Sequence, residues 1–119
     1  MEIIRKNKED LVAILKDSDG NLIDTTLLTD IKFAVKETNY STSELFIKSK
    51  SSNEIEVSDA EKSIITIHIK SADTDQAPKT YVMGLRLFWQ GGDSTEMTLL
   101  DINDQPDNTF KILPNIVSS

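Results

Sequence analysis

The chain has no cysteine. Disulfide frameworks, thiolate metal sites and cysteine nucleophiles are therefore excluded from the outset. Histidine is nearly as scarce, with His68 the single example. A zinc centre would have to be built almost wholly from carboxylates, and a serine triad would have to use this one imidazole as its base. No Gly-x-Ser-x-Gly elbow is present. Glycine occurs only at Gly20, Gly84, Gly91 and Gly92, which do not space into a phosphate-cradling loop. Apolar runs fall far short of the roughly 20 residues that cross a bilayer. Met1–Lys6 lacks the apolar core of a secretory signal. Basic residues are outnumbered, 13 against 20, for a net charge of -7. That leaves no basic footprint for nucleic acid. The expectation is a soluble protein folded in the cytoplasm, with no cofactor, no metal, no membrane and no nucleic-acid partner.

What the chain does have is strand pattern. Its 119 residues, 38% hydrophobic and 28% charged, suit one domain spanning residues 1–119 with a core that needs no staples. Tyr81, Met83, Leu85, Leu87 and Trp89 sit two apart, and a strand places all five on one side of a sheet. Gly91-Gly92-Asp93 then reads as a turn into a returning strand. Ile31, Phe33 and Val35 alternate with Lys32, Ala34 and Lys36, the pattern of a half-buried strand. Ile65, Ile67 and Ile69 repeat it with β-branched residues. Shorter strands are expected at Leu11–Leu15, Leu45–Ile47, Ile55–Val57 and Phe110–Leu113, the last stopped by Pro114. Lys48–Asn53 reads as a mobile loop, Asp101–Asn108 as a polar loop, and Ser71–Ala77 admits one helical turn. No amphipathic stretch is long enough for a typical helix, and no internal repeat stands out. The fold class predicted is all-β, an antiparallel sandwich of about seven or eight strands.

Candidate sites are few. Asp17-Ser18-Asp19-Gly20-Asn21 has the alternating oxygens of a calcium loop, but Leu22 and Leu28 stand where such a loop needs its glycine and its last acidic ligand. A hairpin turn with Gly20 at positive φ accounts for it. His68 faces away from the isoleucines and reads as a solvent-side residue. Carboxylate pairs are numerous in so acidic a chain and single out no catalytic dyad, so no catalytic residue is assigned. Gly84 inside a strand marks a bulge or a close backbone approach. Tyr40, Tyr81 and Trp89 are the aromatics that would stack on sugars, although Tyr81 and Trp89 share the core register. On the opposite register Val82, Arg86 and Phe88 face outward together. They suit a protein interface, where aromatics and arginine are enriched; cover by a loop of the same chain is the other reading.

The order of elements resembles the small immunoglobulin-like domain of tailed-phage structural proteins, notably the N-terminal domain of baseplate upper proteins. The resemblance runs over nearly the whole chain. It rests on the turn Leu15–Asp24, on Ile31-Lys32-Phe33-Ala34-Val35-Lys36, on the isoleucine strand Ile64–Ile69, on the entry Ala77-Pro78-Lys79-Thr80-Tyr81, and on the closing strand Phe110–Pro114. Lys79 stands where the family usually has glycine, and Asp101–Asn108 lengthens the last connection. Members often continue into a fibre or receptor-binding region, so this chain would be a free-standing virion part or a domain of a longer protein. The resemblance implies a non-enzymatic virion component of tail, baseplate or head, made in the host cytoplasm. Its partners would be other virion proteins and copies of itself. The alternative from another class is a carbohydrate-binding or adhesin module with the same sandwich, whose partner would be a glycan.

Overall fold

The computed structural model describes residues 1–116. Eleven strands follow one another along them: β1 (Glu2–Ile4), β2 (Glu9–Ile14), β3 (Leu28–Lys36), β4 (Phe46–Ser49), β5 (Ile55–Asp59), β6 (Ile64–Ile69), β7 (Thr80–Trp89), β8 (Ser94–Met97), β9 (Leu99–Leu100), β10 (Pro106–Asp107) and β11 (Thr109–Leu113). One 3-10 turn, Thr25–Leu27, precedes β3, with the Asp24 side chain accepting from the Thr26 N–H. The strands form two sheets. The first runs β1-β11-β7-β3-β4, with β8 also paired to β7; the second runs β10-β9-β2-β6-β5.

This is an immunoglobulin-like β-sandwich. The pairings β11-β7-β3 on one side and β2-β6-β5 on the other reproduce its two sheets, and the chain passes between them after β1, β2, β4, β6, β8 and β10. The Tyr81 hydroxyl, at the start of β7, donates to the Ala77 carbonyl at 2.6 Å. That bond is the tyrosine corner of such sandwiches, which fixes the crossing from β6 into β7.

The core follows directly from side-chain alternation. Ile31, Phe33 and Val35 of β3 and Tyr81, Met83, Leu85 and Leu87 of β7 are buried. Ala13 of β2, Ile55 of β5 and Ile65, Ile67 and Ile69 of β6 meet them from the second sheet. Phe33, Phe46 and Phe110 stack around one another, with the Phe46 and Phe110 ring centroids 5.5 Å apart, edge to face. Trp89 is only half buried, because β7 ends there; its indole N–H donates to the Thr95 hydroxyl across the hairpin at 3.0 Å.

Several expectations need correction. The sandwich has eleven strands, not seven or eight. The returning strand of the main hairpin breaks at Thr98: β8 stays on β7, whereas β9 pairs with β2 in the other sheet. The polar Asp101–Asn108 loop contains β10. The sheets are antiparallel apart from β1, which lies parallel to β11. Ser71–Ala77 forms successive turns instead of a helical one.

Lys48–Asn53 is not a mobile loop either. Lys48 and Ser49 are buried at the end of β4, and Ser51 is tied through its N–H and hydroxyl to Asp30 at 3.0 Å each. Burial pushes the Asp30 carboxyl up, but the donors from Ser51 and Ile31 and the Lys32 charge outweigh it, so its pKa is lowered. Gly84 makes no bulge. It stands in regular register opposite Ala34.

Candidate docking site

The outer face of the first sheet carries a hollow of about 360 Å³. Strand pairing sets its floor. Ile47 of β4 lies opposite Ala34 of β3, and Ala34 lies opposite Gly84 of β7. This row across the strands is low in the middle, because two of its three residues have almost no side chain. On one side it is bounded by Lys36 and Val82, a directly opposed pair, and on the other by Lys32, Arg86 and Glu96. Phe88 lies beyond Arg86, and Asn39 and Glu44 close one end.

All three sequence-predicted interface residues, Val82, Arg86 and Phe88, therefore line this one hollow. Phe88 is half buried and is covered by the Lys32 ammonium, 5.2 Å from the ring centroid. Sequence reasoning did not bring in Ala34, Ile47, Lys32 and Lys36. Their arrival depends on the register of β3 against β7 and β4, which no single strand pattern encodes.

Two features of the hollow cost stability. Glycine in a strand interior is less stable than alanine by about 0.5–1 kcal/mol, yet a Cβ at Gly84 would meet only the Met97 carbonyl oxygen, at 3.8 Å. Ordinary contact at that distance leaves room for a side chain, so packing does not demand the glycine. Lys32 and Arg86 are directly opposed cations, an unfavourable cross-strand pairing. Arg86 is steadied by Ser94 Oγ at 3.1 Å and by Glu96 at 3.7 Å. Ile47 is 45% exposed at the edge of the floor. In a chain of net charge -7, this apolar floor stands among three cations, Lys32, Lys36 and Arg86, and two carboxylates, Glu44 and Glu96.

The other sequence candidates are placed elsewhere. His68 lies on the outer face of the second sheet, with Nδ1 2.8 Å from Asp10 and Nε2 3.2 Å from Glu56. The hydrogen bond to Asp10 raises its pKa above 6.5; burial opposes this, and the charges of Asp10 and Glu56 add to it. Asp17 Oδ1 turns inward to accept from the N–H groups of Asp19 and Asn21, both at 2.9 Å, so that oxygen is committed to closing the turn. Among the described residues no three ligating side chains of His, Cys, Asp or Glu come together as a metal site. Of the sugar-stacking candidates, Tyr81 is buried and Trp89 half buried, while Tyr40 is 94% exposed beside Asn39 at the end of the hollow.

One buried cluster had no sequence signal. Lys48 projects inward with only 4% of its side chain exposed, 2.5 Å from Asp73 and 3.3 Å from Glu54. It ties β4 to the turns that lead into β5 and out of β6. A lysine flanked by serine reads as solvent-facing, and its partners lie 6 and 25 residues further on, so only the fold unites them.

No family model matches the chain, and no curated protein matches it.

Proposed function

We propose that this chain is a non-enzymatic structural component of a phage virion, in the tail, baseplate or head, that works by docking on other virion proteins. The phage assignment rests on the resemblance in element order. The docking mechanism rests on the hollow at Ala34 and Gly84. A glycine that packing does not require and two opposed cations lower the stability of the free domain, and Ile47 leaves apolar surface exposed beside them. Local departures from what stability alone favours are expected at functional surfaces. The floor would accept an apolar side chain, and the charged walls would set its orientation.

Mass spectrometry of purified particles of the encoding phage tests the assignment, the expected result being the chain in stoichiometric amount. Its absence from particles would overturn it. Gly84→Leu tests the mechanism, because it fills the hollow where a side chain has room. The variant should fold, as judged by circular dichroism and Tm, and be lost from particles. Normal incorporation of the folded variant would remove the hollow from the mechanism.

The sugar-binding alternative keeps one supporting feature, the exposed ring of Tyr40. A glycan array separates the two readings, since saturable sugar binding lost in Tyr40→Ala would favour the alternative.

A further inference from the structure

The Asp17–Asn21 and Asp101–Gln105 segments are the same turn made twice. In each, the first aspartate accepts on Oδ1 from the N–H groups two and four residues on, at 2.9 and 2.9 Å in the first and 2.8 and 3.0 Å in the second. In each, its N–H donates to the carbonyl four residues on, at 2.9 and 3.0 Å. Gly20 and Asp104 hold the matching positive-φ position. A 2.8 Å ion pair from Lys16 to Asp104 ties the two turns together. Only the first aspartate is common to both sequences, and the second position is Ser18 in one and Ile102 in the other. The first turn shows that this geometry has no need of an apolar residue there. Ile102 is nevertheless 60% exposed. It projects from an acidic end, fixed by these hydrogen bonds, that carries Asp17, Asp19, Asp101 and Asp104, the last paired with Lys16.

This end complements the hollow in shape class and in the balance of charge: an apolar knob among four carboxylates and the cation Lys16, and an apolar floor among three cations, Lys32, Lys36 and Arg86, and two carboxylates, Glu44 and Glu96. We infer that the hollow of one copy takes the Ile102 turn of a second copy, in a head-to-tail contact. The inference rests on the docking reading above and names the occupant. The two surfaces are different patches of one chain, so the contact is heterologous, and repetition closes a ring or extends a filament. The hydrogen bonds that fix the knob are made before it binds, which keeps the ordering cost small. The walls contribute through charge, so association weakens as salt screens them.

Sedimentation equilibrium tests this. At low ionic strength the weight-average mass of the wild-type chain should rise with concentration above 13.3 kDa and fall back in high salt. Ile102→Ser copies the residue of the twin turn and should weaken association by about tenfold or more. Gly84→Leu should do the same from the other side. An equimolar mixture of these two variants keeps one knob and one hollow intact. It should form a pair of twice 13.3 kDa and nothing larger. A wild-type chain that stays monomeric at all concentrations, an Ile102→Ser chain that associates like wild type, or a mixture that fails to pair would each overturn the contact. A monomeric chain that is still present in particles sinks this inference alone. A self-associating chain absent from particles sinks the virion assignment and leaves the contact standing.

Discussion

The two outer faces of the sandwich use the same strand geometry to opposite ends. On the second sheet, outward residues satisfy one another. His68 is held between Asp10 and Glu56, and the Thr66 hydroxyl donates to that of Ser58 at 3.1 Å. On the first sheet, outward residues leave a row nearly empty at Ala34 and Gly84 and set Lys32 against Arg86. One face is settled within the chain, whereas the other holds unfavourable pairings that a partner could relieve. Substitutions should therefore fall into two groups: those on the settled face lower stability, and those on the open face keep or raise it while weakening docking.

The largest effect should come from beneath both faces. Phe33→Ala removes a fully buried member of the three stacked rings and should cost about 3–5 kcal/mol, measured by urea denaturation, with both faces lost together. Lys48→Ala cuts the buried tie between the sheets. Its partners keep a wet edge, with Glu54 and Asp73 side chains 27% and 16% exposed, so the expected cost is about 2–3 kcal/mol, below that of a fully buried pair. Gly84→Ala should stabilise by about 0.5–1 kcal/mol while weakening self-association; a destabilised variant would show that packing needs the glycine after all. Lys32→Glu turns the opposed cations into an ion pair but gives up the ammonium over Phe88, so stability should change by no more than a few tenths of a kcal/mol, again with weaker docking.

The smallest effect belongs to the settled face and is a matter of pH. Because folding raises the pKa of His68, the native state holds its proton more tightly than the unfolded chain does. The stabilisation is complete below pH 6.5 and is lost as pH rises through the raised value. His68→Gln should flatten this part of the stability profile. An unchanged profile would show that the imidazole between Asp10 and Glu56 contributes nothing.

What the sequence made legible follows from the range of each interaction. The inward set Tyr81 to Leu87 and the outward set Val82, Arg86 and Phe88 were readable, because a strand alternates residue by residue. Trp89 shares that register but lies where β7 gives way to the Gly91-Gly92 turn, and burial fades there. The rest of the hollow depends on which strand lies beside β7 and in what register, and that information is spread over some fifty residues between Ala34 and Gly84. The change of sheet at Thr98 was hidden because β8 and β9 are each too short to show a period of their own. The twin turns were legible in principle. An aspartate, then an Asp or Asn two residues on, then an amide residue two further, occurs at both 17–21 and 101–105, and recognising the first as a hairpin turn was enough to find the second.

One edge of β7 is divided between two neighbours. β11 pairs with it over Thr80–Val82, and β8 over Leu85–Phe88. Gly84 lies at the fork. A body seated there bears on both branches at once: through β8 on the segment that crosses to the opposite layer, and through β11 on β1 at the start of the chain. Occupation of so small a spot would thus be felt at distant margins of the molecule, and slowed amide exchange in Thr95–Met97 and Thr109–Phe110 together would be its signature.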